Sequence, residues 1–494
     1  MPPTIPHAGE LRRQALTTLF PGFEGTAAPP PWVLRLGAEG LGGVVLFGRN
    51  VDPARGDRGV GELTAALHDA GLLVAIDEEG GDVTRLDAAR GSSLPGNAAL
   101  GTVDDPALTE QVAAELGARL KSCGIDLNLA PVADVDTHAG NPVIGVRSFG
   151  SDPDLVARHV AAFVRGQQRH GVGATAKHFP GHGGTSEDSH LTVPVLGTGI
   201  DDIRRTDLPP FRSAVKADVK VVMTAHVRIP VLDPELPATL SPVVTGILRD
   251  ELGFDGVVMT DGLDMHAISR TSGHVEAGVL ALAAGVDALC VGGDTTGPEL
   301  VEKMAQALVD AVLSGRLPAA RLAEAASRVN QLRAWSRQLV PQVPASGAAA
   351  HAARRAVISR GDVLLTRPAL VIELHDEPSL AAGDVPWGVG APLTARLPGT
   401  VVVQMSANDA DPATVIAQHP EARVVVCVRG VRRRPWQARL VAAVRRSRPD
   451  VIVVDHDSGT PGEVLGTHHV VAYGAARVTA EAAADILSGR GQAG

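Results

Sequence analysis

The sequence predicts an α/β protein: a (β/α)8 TIM-type barrel followed by a smaller α/β sandwich. Three observations predict it. Short β-rich apolar runs alternate with helix-compatible stretches through the first two-thirds of the chain. Titratable residues crowd the C-terminal ends of those runs. A Pro- and Ala-rich stretch then precedes a second set of apolar runs, in a chain of 494 residues that exceeds what one hydrophobic core supports.

The first set of runs is GGVVLF (42–47), LLVAI (72–76), IDLNLA (125–130), GATA (173–176), VKVVMT (219–224), DGVVMT (255–260) and VDALCV (286–291). They are continuous rather than alternating, which suits parallel strands covered on both faces. Segments 105–122, 152–170 and 298–314 repeat apolar residues at three- and four-residue spacing, as helices packed on a sheet do. A doubly wound sheet would give the same alternation. In a barrel, however, active-site residues come from several strand ends and converge on one face. Asp77 and Glu79 follow one run, Lys177 and His178 another, and His226 and Asp261 two more, so convergence favours the barrel.

Segment 316–355 begins as a helix and passes into SRQLVPQVPASGAAA, an interdomain linker by composition. Strands resume at 363–374, 400–405, 423–428, 450–456 and 469–474. The expected organisation is a catalytic barrel over 1–340, a linker over 341–356 and an α/β sandwich over 357–494.

Composition excludes several classes of function. Hydrophobic residues at 45% and charged residues at 20% are those of an ordinary globular protein. Aromatics at 3% argue against base-stacking platforms, and a net charge of −10 repels phosphate backbones, so no nucleic-acid partner is expected. The local basic run at Arg429, Arg432, Arg433, Arg434 and Arg439 reads as a solvated helix face. Cys123, Cys290 and Cys427 are too far apart for a disulfide framework or a metal knuckle, and fit buried thiols in a reducing compartment. The N-terminal residues lack the pattern of a signal peptide, and no apolar stretch reaches the roughly 18 residues of a membrane span. The expectation is a cytoplasmic protein with no membrane partner.

The densest segment is AKHFPGHGGTSEDSHLTVP, residues 176–194. Pro180, Gly181, Gly183 and Gly184 exclude a regular helix, so this is a shaped loop after a strand. His178 and His182 are four apart, with Asp188 and His190 close by, but the zinc-helix motif needs both histidines on one helical face with a glutamate between them. No metal and no cofactor are expected. Acid/base work fits better: in Asp188-Ser189-His190 a carboxylate can hold one imidazole nitrogen and leave the other for substrate. A capping Asp beside an exposed His is the plain alternative.

Asp261 ends the buried run 255–260 and precedes Gly262, where a carboxylate can act as a covalent nucleophile. Such an Asp also caps helices, and Asp264 competes for both roles. In VAIDEEGGDVTRL (74–86), Asp77 and Arg85 flank a glycine pair that lets backbone approach a ligand. That segment alone is a weak signal.

Taken together these segments resemble the family 3 glycoside hydrolases, in particular their β-N-acetylglucosaminidase branch. The similarity runs from GFEGT (22–26) and GGVVLFGRN (42–50) through the Asp77 segment, DLNLAPVADV (126–135), IGVRSFG (144–150), the Lys177–His190 loop and TAHV (224–227) to Asp261. It covers about residues 10–340 in consistent order. The Lys-His-Phe-Pro-Gly-His-Gly…Asp-Ser-His loop is its specific part, because members acting on plain glucosides lack this histidine. The resemblance implies Asp261 as nucleophile and Asp188 with His190 as acid/base dyad. It implies Asp77, Arg85, Arg147, Lys177 and His178 as the residues that hold a terminal N-acetylglucosamine. The implied reaction is retaining hydrolysis of terminal β-linked N-acetylglucosamine from muropeptide or chitooligosaccharide fragments. Phosphorolysis to a sugar 1-phosphate and sugar binding without catalysis are the competing readings. The expected partner is a small carbohydrate, and the sequence gives no oligomeric state. Two departures stand out: Asp82, where the family often has Arg, and Gly184, where it often has Asp. Both bear on loop order and aglycone preference.

Overall fold

Both faces of the first sheet are buried, which explains why its strands read as unbroken apolar runs. The computed structural model describes residues 6–188, 192–265, 268, 273–292, 297–338, 347–376, 382–409 and 411–490. Its first strands are β1 (Leu19–Pro21), β2 (Gly43–Leu46), β3 (Leu73–Ile76), β4 (Leu127–Asn128), β5 (Gly173–Phe179) and β6 (Val221–Thr224). A short antiparallel pair follows, β7 (Arg228–Ile229) and β8 (Asp233–Pro237), then β9 (Val257–Thr260) and β10 (Leu289–Gly292). Strands β2-β3-β4-β5-β6-β9 form one parallel ladder in that order. β1 pairs in parallel with β10, and a bridge from Met259 to Ala288 ties β9 to the residues leading into β10. This is the TIM-type barrel. β1 is absent from the sequence reading because its three residues, one of them Pro21, carry no strand-length apolar run.

Alternate residues along each strand serve two cores. Val45, Ala75, Leu127, Met223, Met259 and Cys290 fill the barrel interior together with Val329 and Leu332 of the helix Ala319–Ser336. Val44, Val74, Ala174, Val222, Val258 and Val291 face the surrounding helices. Each fully buried Val or Leu is worth roughly 1.5–3 kcal/mol, so an aromatic-poor chain still builds a deep core. The helices at Pro106–Ser122 and Pro153–Gln168 each start on proline behind a capping aspartate, Asp105 or Asp152.

The second sheet holds β11 (Ile358–Arg360), β12 (Leu370–Leu374), β13 (Val401–Met405), β14 (Val424–Val428), β15 (Ile452–Asp455) and β16 (His469–Val471). Their order is β11-β16-β15-β14-β12-β13, parallel throughout except for β11, which pairs antiparallel with β16. The run expected as one strand over 363–374 enters the ladder only at Leu370, after Pro368. β12 and β14 are buried on both faces, whereas the edge strand β13 alternates. Among the described residues no helix is long and apolar enough to cross a membrane.

Of the expected linker, residues 341–346 lie outside the described residues, and Ala348–Ala356 form a helix. Its first amides, on Ala348 and Ala349, donate to the carboxylate of Glu115 on the barrel at 2.8 and 3.0 Å. A helix N-terminus welcomes that charge.

Candidate active site

The C-terminal ends of β3 and β5 bring five charged side chains into one cluster. Lys177 Nζ donates to Asp77 Oδ1 at 2.7 Å and lies 2.6 Å from Glu79 Oε1. Arg147 grips Glu79 with two bonds, Nη2 to Oε1 at 2.7 Å and Nε to Oε2 at 2.9 Å. Arg85 Nη2 donates to Asp77 Oδ2 at 3.0 Å. Burial alone would raise the pKa of Glu79, but Arg147 and Lys177 overcome it and hold the carboxyl well below its ordinary range. Burial opposes charge on Lys177 too, and Asp77 with Glu79 keep it raised. Glu79 and Lys177 are therefore both charged near neutral pH, and the cluster presents a fixed set of donors and acceptors suited to a hydroxyl-rich ligand.

Glu78 shapes the loop that carries this cluster. Its carboxylate accepts from the amides of Arg85 at 2.7 Å and Leu86 at 2.9 Å, and burial pushes it up to about 7.

Next to Lys177 on β5, His178 Nδ1 lies 2.7 Å from Asp134 Oδ2, which puts the proton on Nδ1 and makes Nε2 the ring's acceptor. Asp134 also accepts from the amide of His182 at 2.8 Å. His182 Nδ1 lies 2.7 Å from Thr185 Oγ1, a hydroxyl that donates to the His182 carbonyl at 2.9 Å. Burial pushes His182 down to about 4, so this imidazole is neutral. Both histidines that suggested a metal thus engage Nδ1 with protein oxygens.

Asp261 stands directly after β9. Its Oδ1 accepts the amide of Gly262 at 2.8 Å, and its own amide donates to Thr224 O at 3.3 Å. His226 after β6 steadies this turn, with Nε2 2.9 Å from the Gly262 carbonyl. Asp264 has its carboxyl packed over Gly292, whose φ is +118° and where a Cβ would fall 2.2 Å from Asp264 Cγ. That close approach requires glycine at 292.

Asp188 is part-buried on the loop after Gly184, its carbonyl accepting from the Thr192 amide at 3.0 Å. His190 lies outside the described residues. The structure thus joins Lys177 and Arg85 directly to Asp77, links Arg147 to Lys177 through Glu79, and places His178 on β5 and Asp261 after β9, with β6 between them. Glu78, Asp134 and the pairing role of Glu79 are absent from the sequence assignment. Glu79 had a signal, its position two residues beyond Asp77 at a strand end.

The departure at Asp82 has a structural partner. Its Oδ1 accepts the amide of Ala475 at 2.6 Å and its Oδ2 pairs with Arg429, both from the second domain. At Gly184 a Cβ would lie 3.0 Å from Leu196 Cδ1 and 3.2 Å from Thr137 Oγ1, so a larger residue would need these two side chains to give way by a few tenths of an ångström. The basic run is no solvated helix face in its first half. Arg429, Arg433 and Arg434 turn toward the barrel or pair with acids, with side chains 21%, 29% and 29% exposed.

The model for the glycosyl hydrolase family 3 N-terminal domain matches residues 34–332. The chain belongs to glycosyl hydrolase family 3. Within the family it is 34% identical over 349 residues to beta-hexosaminidase A of Pseudoalteromonas piscicida, covering 65% of this chain and 56% of that protein. It is 40% identical over 298 residues to a beta-hexosaminidase of Stenotrophomonas maltophilia strain R551-3, covering 58% and 84% respectively. Among solved structures it resembles a glycoside hydrolase family 3 beta-N-acetylglucosaminidase from Paenibacillus sp. str. FPU-7, with TM-score 0.86, 33% identity and 97% of each chain covered. That likeness includes the second domain, so the family 3 barrel and its α/β layer occur together in both chains.

Proposed function

We propose that this protein is a retaining β-N-acetylglucosaminidase that removes terminal, non-reducing β-linked N-acetylglucosamine. The observation that carries the reading is the ionised cluster centred on Lys177, on the same barrel mouth as Asp261. Its likeness along nearly the whole chain to the Paenibacillus beta-N-acetylglucosaminidase supports the same substrate.

The sugar's hydroxyls would exchange hydrogen bonds with Asp77, Arg85, Lys177, Arg147 and His178 Nε2. Asp261 attacks the anomeric carbon while the bond to the aglycone oxygen breaks. His190, oriented by Asp188, gives that oxygen its proton. In the second step His190 takes a proton from water, the water oxygen attacks the anomeric carbon, and the bond to Asp261 breaks. Muropeptide and chitooligosaccharide fragments are the substrates this chemistry fits.

The test is p-nitrophenol release from the β-N-acetylglucosaminide, with the β-glucoside as control and with or without phosphate. Preference for the acetamido sugar, unchanged by phosphate, is the expected result. Phosphate-dependent release with formation of a sugar 1-phosphate would replace hydrolysis by phosphorolysis, and silence on both glycosides would overturn the reading.

A further inference from the structure

Between the barrel mouth and the second domain lies a cleft of about 270 Å³. Among the described residues, Pro142, Val143 and Arg147 line it from the barrel, and Trp387, Arg433 and Arg434 from the other side. It adjoins the Lys177 cluster at two points. Arg147 belongs to both, and Arg85 donates at 3.4 Å to the carbonyl of Ala382 in the cleft wall.

Charge in this cleft is unevenly matched. Arg147 is held by Glu79 and Arg429 by Asp82, Arg434 pairs with Asp376 at 2.8 Å and gives Nη1 to the Arg429 carbonyl at 3.2 Å, and Asp384 also lines the cleft. Arg433 instead gives Nη1 to the Asn141 carbonyl at 2.9 Å, and the carboxylate it faces, on Asp457, stands 3.8 Å away. Each guanidinium has five N–H donors, more than these contacts use. The guanidinium of Arg434 is held below its ordinary pKa by burial, with repulsion from Arg433 and Arg429 acting against Asp376. An anion placed between them would relieve that repulsion. The ring of Trp387, with His375 4.8 Å from it and Arg429 over it at 5.7 Å, adds a flat apolar wall.

We infer that this cleft is the aglycone subsite and that Arg433 and Arg434 bind a carboxylate on the group that leaves with the glycosidic oxygen. The inference rests on reading the Lys177 cluster as the sugar site and the Asp188 loop as the leaving-group side, toward which Asn141 ties the cleft: its carbonyl takes Arg433, and its Nδ2 donates to the carbonyls of His182 and Gly183 on that loop at 2.9 and 3.2 Å. It gives the second domain a task in substrate selection.

The test uses the full chain and two β-N-acetylglucosaminides, of 4-hydroxyphenylacetic acid and of its amide, which differ in charge and little in leaving-group chemistry. Their sulfur-linked analogues, which resist cleavage, report binding alone. The expected preference for the acid over the amide is about tenfold in kcat/KM and in the Kd of the sulfur analogues. Arg433→Gln and Arg434→Gln should each reduce that ratio at least about threefold, and Arg434→Lys should preserve more of it than Arg434→Gln. A variant that slows both glycosides alike would mark its arginine as structural and overturn its assignment. Equal binding of the acid and amide analogues, or binding of neither, would overturn the inference. Preferential binding of the acid analogue with no cleavage of either glycoside would leave the subsite standing and remove the hydrolase reading.

Discussion

The ammonium of Lys177 stands 2.7 Å from the carboxylate of Asp77, in a contact where the lysine side chain is only 3% exposed. The contact joins the end of β5 to the end of β3, and Glu79 and Arg147 extend it into a four-residue network. A buried ion network is costly to break from one side, because the partner charges are left behind without water.

Lys177→Met should therefore destabilise the protein by about 3–5 kcal/mol, since it strips a buried cation from Glu79 and from the part-buried Asp77. The same variant should lose sugar binding along with stability. Urea unfolding and titration with N-acetylglucosamine check the two effects separately. Unchanged stability would mean the network is not closed as described.

Asp261→Asn keeps the volume and the amide contact at Gly262 but removes the nucleophile. Turnover should fall by about a thousandfold or more, or at least 4 kcal/mol in the barrier, with thermal unfolding little changed. Single-turnover assays on a p-nitrophenyl substrate measure it.

Acid should weaken the fold through His182 and Glu79. His182 has a folded pKa of about 4, below its unfolded value near 6.5, so below pH 6.5 the unfolded chain binds a proton that the native site refuses. This contribution declines as pH falls from about 6.5 toward 4, while Glu78, pushed up to about 7, acts in the opposite sense over the same range. The depressed pKa of Glu79 acts in the same direction as His182 at lower pH: its contribution is complete above the ordinary carboxylate value and is lost as pH falls toward the folded one. Denaturant unfolding of the wild type and of His182→Gln across pH 4–8 isolates the histidine's share: the wild type should lose stability relative to the variant as pH falls from about 6.5 toward 4.

Asp82 and Arg429 should be coupled across the domain boundary. Asp82→Ala removes the bonds to Arg429 and to the Ala475 amide, and should cost about 2–4 kcal/mol, as charged hydrogen bonds do when one partner is lost. A double-mutant cycle with Arg429→Ala should show a coupling energy of about 1 kcal/mol or more. Additive losses would separate the two residues.

Much of this was legible in the sequence because burial on both faces leaves a local mark. The runs at 72–76, 219–224 and 255–260 contain β3, β6 and β9, and the crowding of Asp77, Lys177 and Asp261 just beyond such runs marks one barrel mouth. Short elements leave no such mark, which is why β1 and β11 escape the reading. Relationships between distant segments are equally invisible. Nothing in the spacing says that Asp134 will hold His178, that Glu78 will fold back on the amides of Arg85 and Leu86, or that Asp82 will meet Arg429 across 347 positions. Those pairings arise from packing, and they convert an arginine-rich stretch that reads as a solvated surface into one wall of a cleft. The dyad at Asp188 and His190 rests on the loop's residues and their resemblance to the family, since His190 lies outside the described residues.

The most direct test of the account is to trap the covalent intermediate. Incubation with a 2-acetamido-2-deoxy-5-fluoroglucosyl fluoride, followed by peptide mass mapping, should place one glycosyl group on Asp261 and none in Asp261→Asn. A glycosyl group on another residue would displace Asp261 as nucleophile. Full activity on the β-N-acetylglucosaminide with no adduct at all would point to attack by the substrate's own acetamido group and contradict the double-displacement mechanism.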